Sequence, residues 1–355
     1  ALGHNGNITN YKTLRRKFES TGATFRTESD TEIFLHVIAR CRKKDMGERL
    51  GTAFKHLKGA YSLVALTRDS LIAARDPYGV RPLALGKLGD GYIVASETCA
   101  FDIMKAEYIR DIEPGEILII DENGPRTAAS MAPKKRTSCI FEFVYFARPD
   151  SKVFGENVDK LRRAMGRRLA WESPAEGDFV ISVPDSSNTA ALGYSEASGI
   201  KMEIGLIRNH YVGRTFILPD QKIRDIDALI KYNPVKGVIS GKNIIVVDDS
   251  IVRGTTSAKI VSMLREAGAK KVHYRVGSPP LISPCFYGID IPTFSELIAH
   301  NYDVEETREK IGADSLAYLS IEGMLSVSNY RPSEFCTACF SKNYRIPGDF
   351  QKNVK

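Results

Sequence analysis

The sequence predicts two domains of different class, an α+β domain with antiparallel pairing followed by an α/β domain built on a parallel sheet. Three observations predict it. The chain has 355 residues, 43% of them apolar and 26% charged, which is enough to bury two cores. Up to about residue 128 short apolar runs stand between turn residues, as antiparallel strands do. From Asn157 onward helical and strand patterns alternate, the signature of a parallel sheet covered by helices.

In the front part Glu32 to Lys43 has helical periodicity, while Tyr61–Leu66, Leu71–Ala74 and Gly91–Ala95 read as strands. Proline and charge collect at Glu122–Arg126 and Ala132–Arg136, where the linker is expected. The second part reads as a helix over Val158–Trp171, a strand over Phe179–Val183, a helix from Thr189, a strand over Asn243–Val247, a helix over Thr256–Ala267 and a strand over Val272–Val276. Ligands of such sheets sit at the carboxyl ends of strands, so the loops after Val183 and Val247 are the places to look. The expected boundaries are 1–130, 131–325 and a tail over 326–355.

Composition narrows the function classes. No stretch approaches the ~18 to 20 consecutive apolar residues of a membrane helix, and no secretory leader is present, so the expected compartment is cytoplasmic and no membrane partner is expected. A net charge of +7 favours anionic partners. The basic runs Arg42-Lys43-Lys44 and Lys134-Lys135-Arg136 are short and lack interleaved aromatics, so they read as solvated surface rather than a nucleic-acid site. The histidines, 4, 36, 56, 210, 273 and 300, have no metal-ligand spacing.

The most informative segment runs from Ile244 to Ser257. A buried strand delivers Asp248 and Asp249 to its end, and Arg253-Gly254-Thr255-Thr256-Ser257 then opens a helix. Backbone N–H groups and hydroxyls at such a helix start cradle a phosphate, and Gly254 lets the backbone come close. Two carboxylates suit ribose hydroxyls and a Mg²⁺ holding a pyrophosphate. A merely capped helix is the bland alternative. A nucleotide triphosphatase would want a GxxxxGK[ST] loop, and Gly237–Asn243 has the wrong spacing and precedes the strand.

This segment resembles the phosphoribosyl pyrophosphate (PRPP) motif of the type I phosphoribosyltransferases. The resemblance implies that Ser186 and Ser187 grip the pyrophosphate, with Ser186 joining Asp248 and Asp249 at the Mg²⁺. It also implies that Arg208, Tyr211 and Arg214 belong to a loop that closes over substrate, and that Arg253 to Ser257 hold the 5′-phosphate. In the front domain His4-Asn5-Gly6-Asn7, Ser29-Asp30-Thr31-Glu32 and Arg75-Asp76-Pro77-Tyr78-Gly79-Val80-Arg81-Pro82-Leu83 resemble the glutaminase domain of class II amidotransferases, an N-terminal-nucleophile fold.

The combination is similar to the amidophosphoribosyltransferase family over essentially the whole chain, including Phe146–Ser151. That likeness implies that Asn5 and the Gly6 N–H form an oxyanion hole and that Asp30 binds the α-amino group of glutamine. It implies that glutamine-derived ammonia passes to PRPP, giving 5-phosphoribosylamine, glutamate and pyrophosphate, the first step of de novo purine synthesis. It implies a homo-oligomer inhibited by purine nucleotides. The family attacks glutamine with an N-terminal cysteine, and the chain begins Ala1-Leu2-Gly3 with no such residue. The expectation is therefore an incomplete glutaminase domain, a chain lacking its N-terminal segment and limited to free ammonia. Cys41 and Cys99 read as packing thiols. Cys336 and Cys339 form a CxxC, with Cys139 and Cys285 standing alone; spacing leaves zinc and an iron–sulfur cluster open. The positions match the [4Fe–4S] ligands of the cluster-bearing branch of that family. A nucleobase phosphoribosyltransferase or a PRPP-binding regulator would keep the phosphate loop without needing the front domain.

Overall fold

The computed structural model describes residues 1–209 and 231–350. Its front part is a five-stranded antiparallel sheet in the order Leu2–Ile8, Gly59–Leu66, Leu71–Arg75, Glu116–Asp121 and Gly124–Ser130. Side chains alternate across it. Ile117 and Ile119 face the helices Tyr11–Glu19, Glu32–Arg40 and Met46–Phe54, packing with Phe34, Leu50 and Phe54. Leu118 and Ile120 face the other way, against Leu83, Leu85 and Ile112, in or next to a second, three-stranded sheet over Ala84–Leu88, Gly91–Ala95 and Glu107–Asp111. Period-two alternation with both faces covered accounts for the unbroken apolar run of Ile117–Ile120.

The motif His4-Asn5-Gly6-Asn7 lies inside the edge strand Leu2–Ile8. One expectation needs correction. The stretch Glu122–Arg126 is no linker: Gly124, at φ +91°, turns a hairpin whose second strand runs to Ser130. That strand is only half-buried and polar, so it carries no apolar signal.

The parallel sheet has the order Phe179–Ser182, Asn243–Asp248, Lys271–Val276 and Ser315–Tyr318, one strand more than the sequence suggested. Ile244, Ile245, Val246 and Val247 are fully buried. Ile245 and Val247 pack against the helices Val158–Glu172 and Asn188–Ser198, and Ile244 and Val246 against Thr255–Glu266. A strand covered on both faces has to be apolar at every position.

The helices Val158–Glu172 and Asn188–Ser198 touch backbone to backbone. A Cβ on Gly166 would lie 1.9 Å from the Ala190 carbonyl oxygen, and one on Gly193 1.9 Å from that of Arg163. Neither neighbour is a side chain that can swing aside. Gly193→Ala is accordingly expected to separate the two helices at a cost of about 3 kcal/mol, measured as a lowered urea midpoint; an unchanged midpoint would refute this packing.

Candidate active site

The strand Asn243–Asp248 ends where two other segments arrive. Asp248 and Asp249 are 6% and 8% exposed. Asp248 Oδ1 accepts from the Asp249 N–H at 2.9 Å and from the Ser187 hydroxyl at 3.3 Å, and its Oδ2 from the Tyr274 hydroxyl at 2.6 Å. Asp249 Oδ2 accepts from the Ser186 hydroxyl at 2.5 Å and Oδ1 from Ser250 at 2.6 Å. Ser186 and Ser187, implied by the resemblance to the type I phosphoribosyltransferases, thus converge on the carboxylates. Burial and the neighbouring Asp249 push Asp248 up to about 7, and burial raises Asp249 against the Ser186 and Ser250 hydrogen bonds.

Gly254 begins the helix Thr255–Glu266 at φ +79°, and a Cβ there would meet Ile298 Cδ1 at 2.4 Å. Only glycine suits both the left-handed backbone and the close wall. Thr255 and Thr256 are exposed at the helix start. Ser257 instead is 3% exposed, its side chain buried on the Tyr274 side of the helix start. Arg253 is exposed and held by Glu296 Oε1, at 2.8 Å from Nη2 and 3.1 Å from Nε. Arg208 reaches Asp185 at 2.9 Å. Tyr211 and Arg214 lie outside the described residues.

Three participants had no sequence signal. Tyr274 comes from the adjacent strand, Glu296 from a turn 43 residues beyond Arg253, and Lys231 from the far side of the ribbon Leu206–Arg208/Tyr232–Pro234. Lys231 feels the charges of Asp249, Asp248 and Asp185, while burial and Arg208 lower its pKa. Among the described residues neither Asp248 nor Asp249 has an ion pair, and no three His, Cys, Asp or Glu groups form a metal cage. Two buried, hydrogen-bonded carboxylates without a cation suit Mg²⁺, which typically takes one or two carboxylates and completes its shell with water and substrate phosphate.

In the front domain Ala1 and Leu66 exchange both backbone hydrogen bonds, at 2.8 and 2.9 Å. Bonded pairs alternate along an antiparallel ladder. Gly6, opposite Tyr61, therefore falls at a non-bonded pair, and its N–H points out of the sheet edge. Ile8 falls likewise, and its N–H donates to Asp30 Oδ2 at 2.7 Å. The Gly6 donor and the Asp30 carboxylate thus share one open edge. Asn5 Nδ2 donates to Ser96 Oγ at 3.3 Å. His4, its pKa lowered by burial, contacts Thr31 and Asp30.

Cys139, Cys285, Cys336 and Cys339 line one small, largely apolar cavity. The strands Ser138–Cys139 and Phe335–Cys336 pair in parallel with Cys139 beside Cys336, and the Cys339 carbonyl accepts from the Ile282 and Ser283 N–H groups near Cys285. Burial raises all four thiols, Cys336 to about 12. Among the described residues no three His, Cys, Asp or Glu side chains are arranged to hold a single metal ion. Four cysteines around one small apolar cavity are a donor set of the kind that iron–sulfur clusters take.

Residues 1–102 match the model of the glutamine amidotransferase domain. The chain is 51% identical to amidophosphoribosyltransferase 1, chloroplastic, of Arabidopsis thaliana over 97% of its own length and 61% of that protein, so it spans about three fifths of this relative. It is 48% identical to the amidophosphoribosyltransferase of Bacillus subtilis, over 97% of this chain and 73% of the relative. It superposes with a TM-score of 0.92 and 48% identity on glutamine PRPP amidotransferase from B. subtilis complexed with ADP and GMP, covering 98% of this chain and 77% of that one. A second solved structure, described as the allosteric regulatory enzyme of purine biosynthesis, gives 0.91 and 47%, covering 98% and 76%. On this identity and coverage the chain belongs to the amidophosphoribosyltransferase family.

Proposed function

We propose that the protein transfers ammonia derived from glutamine to PRPP, forming 5-phosphoribosylamine and pyrophosphate in the first step of purine synthesis. The observation that carries this is the convergence of Ser186, Ser187, Asp248 and Asp249 beside the Gly254 turn. Residues 1–130 would form the glutamine amidotransferase domain, 131–325 the transferase and 326–355 a tail carrying Cys336 and Cys339. By themselves residues 1–355 would use free ammonia, since Cys41 and Cys99 pack as thiols and the other four cysteines line the junction. Six cysteines outside any disulfide suit a reducing compartment, and we place the protein in the cytoplasm.

In the transferase site the Thr255 and Thr256 hydroxyls and the helix N–H groups take the 5′-phosphate, with Arg253 at the rim. Ser186 and Ser187 meet the pyrophosphate, Asp248 and Asp249 the ribose hydroxyls, and Lys231 with Arg208, Tyr211 and Arg214 supplies the closing side. Mg²⁺, held by Ser186, Asp248 and Asp249, would neutralise charge on the departing pyrophosphate. The Asp248 and Asp249 carboxylates, when ionised, would stabilise the positive character that C1 acquires as pyrophosphate leaves. In the glutamine site Asn5 Nδ2 and the Gly6 N–H would receive the oxyanion, donors of a kind worth ~3 kcal/mol each, and Asp30 the α-amino group. A [4Fe–4S] cluster on the four cysteines would tie the tail to the domain junction as a structural element. The names of the solved relatives support control by purine nucleotides, which we extend to this chain, together with a homo-oligomeric state, as part of the proposal.

Asp249→Asn should lower PRPP-dependent pyrophosphate release with ammonium at least about a hundredfold; a rate within a few-fold of the parent would reject the assignment. Because Asp248 holds its proton up to about 7, a cation that needs the ionised pair should lose affinity as pH falls through that value and regain it above. Titrating Mg²⁺-dependent PRPP binding across neutrality checks the sign, and a flat profile would oppose it. Cys336→Ser and Cys339→Ser are each expected to abolish iron and acid-labile sulfide in protein purified without air, whereas zinc in the parent would overturn the cluster.

A further inference from the structure

We propose that a cavity on the outer face of the front domain binds a small amphipathic anion, an apolar ring or acyl group carrying a phosphate or carboxylate. The cavity encloses about 460 Å³ where the helices Tyr11–Glu19, Glu32–Arg40 and Met46–Phe54 meet. That is within the roughly 300–1,000 Å³ usual for small-molecule sites. It is separate from the cysteine cavity and from the phosphate loop, which have their own linings.

Its walls are chemically divided. Leu14, Phe18, Val37 and Ala53 are each less than 10% exposed and form an apolar floor. Lys17, Arg40, Arg42 and Lys43 surround the mouth, and no aspartate or glutamate lines it. On this protein surface arginines usually hold a carboxylate: Arg15 pairs with Glu19, Arg163 with Glu196 and Arg308 with Glu305. At the cavity mouth only Lys43 does, with exposed Glu48 at 3.3 Å. Arg40 lies over the Phe18 ring at 4.7 Å and contacts His36, not an acid. Lys17 and Arg42 have no ion pair among the described residues.

Unbalanced cations repel one another, and an anion between them would relieve that repulsion. The apolar floor requires that the anion bring a hydrophobic body, because inorganic phosphate would leave the floor wet. The floor is a few side chains wide, which suits one bicyclic ring or a short acyl chain. Neither half of the cavity alone specifies a ligand; together they select for both properties at once.

The probe is 1-naphthyl phosphate, followed by calorimetry on the protein, with 1-naphthol and inorganic phosphate as single-property controls. Saturable binding of 1-naphthyl phosphate at least tenfold tighter than either control is expected. Lys17→Glu combined with Arg42→Glu changes two exposed side chains and should weaken it by tenfold or more, with the circular dichroism spectrum unchanged. Saturating PRPP should leave binding unaffected, which separates this site from the transferase site whether or not the proposed reaction holds. The proposal is overturned if inorganic phosphate binds as tightly, if 1-naphthol does, if PRPP competes, or if the double variant keeps its affinity.

Discussion

A buried ion pair holds the junction on which both candidate sites depend. Arg81 and Glu142 have side chains 1% exposed and approach to 2.8 Å. The contact is one of charge more than of aligned hydrogen bonding, since Arg81 Nε and Glu142 Oε1 lack well-directed partners. Burial pushes the Glu142 carboxyl up, and Arg81 opposes it. Arg81 also donates to the Gly288 carbonyl at 3.0 Å and lies over the Phe146 ring. Removing two charges from water costs several kcal/mol per ion, so the pair persists only while its surroundings hold it in place. Those surroundings are the loop after the third front strand, the segment entering the transferase part and the loop carrying Cys285. Displacing any one of them would strand a charge.

The two aspartates at the strand end are the opposite case. Their oxygens are supplied with hydroxyl and N–H donors, yet among the described residues neither forms an ion pair. Such a site is less stable than a neutral one of the same shape, and a bound cation would turn that deficit into affinity. The fully buried run Ile244–Val247 before them, with Gly254 against Ile298, keeps the carboxylates from relaxing toward water. Stability is concentrated in the sheet, and the unbalanced charge at its edge.

How much of this was legible in the sequence depends on how local each signal is. Ile244–Val247 announced itself because a strand buried on both faces admits no polar residue, and Asp248-Asp249 with Arg253-Gly254-Thr255-Thr256 lies in one continuous segment. The CxxC was equally local. The strand through His4-Asn5-Gly6-Asn7 was not legible, since an edge strand with a functional rim is polar where a core strand would be apolar. The hairpin at Gly124 hid for the same reason. Tyr274, Lys231 and Glu296 were silent because their partners are tens of residues away. Ser257 shows the converse limit: its place in the motif suggested a phosphate contact, while the fold buries its side chain.

The same junction explains how a glutamine edge and a phosphate site could act in step. Gly288, at φ +104°, lies against Gly6 so closely that a Cβ on it would come within 2.5 Å of the Gly6 Cα. Asn7 Nδ2 donates to the Phe286 carbonyl at 2.9 Å. On the other flank Asn5 meets Ser96, and the next two residues grip the second part: Glu97 accepts from the Arg148 N–H and the Ser151 hydroxyl, and Thr98 from the Lys152 N–H. These links run through main chain and short side chains, which have little rotamer freedom to absorb a shift. A displacement of the Cys285–Gly288 loop would therefore be passed to the Gly6 N–H rather than dissipated. Under the proposed reaction this is the required property, because nitrogen released at one edge should be used at the other before it escapes to water.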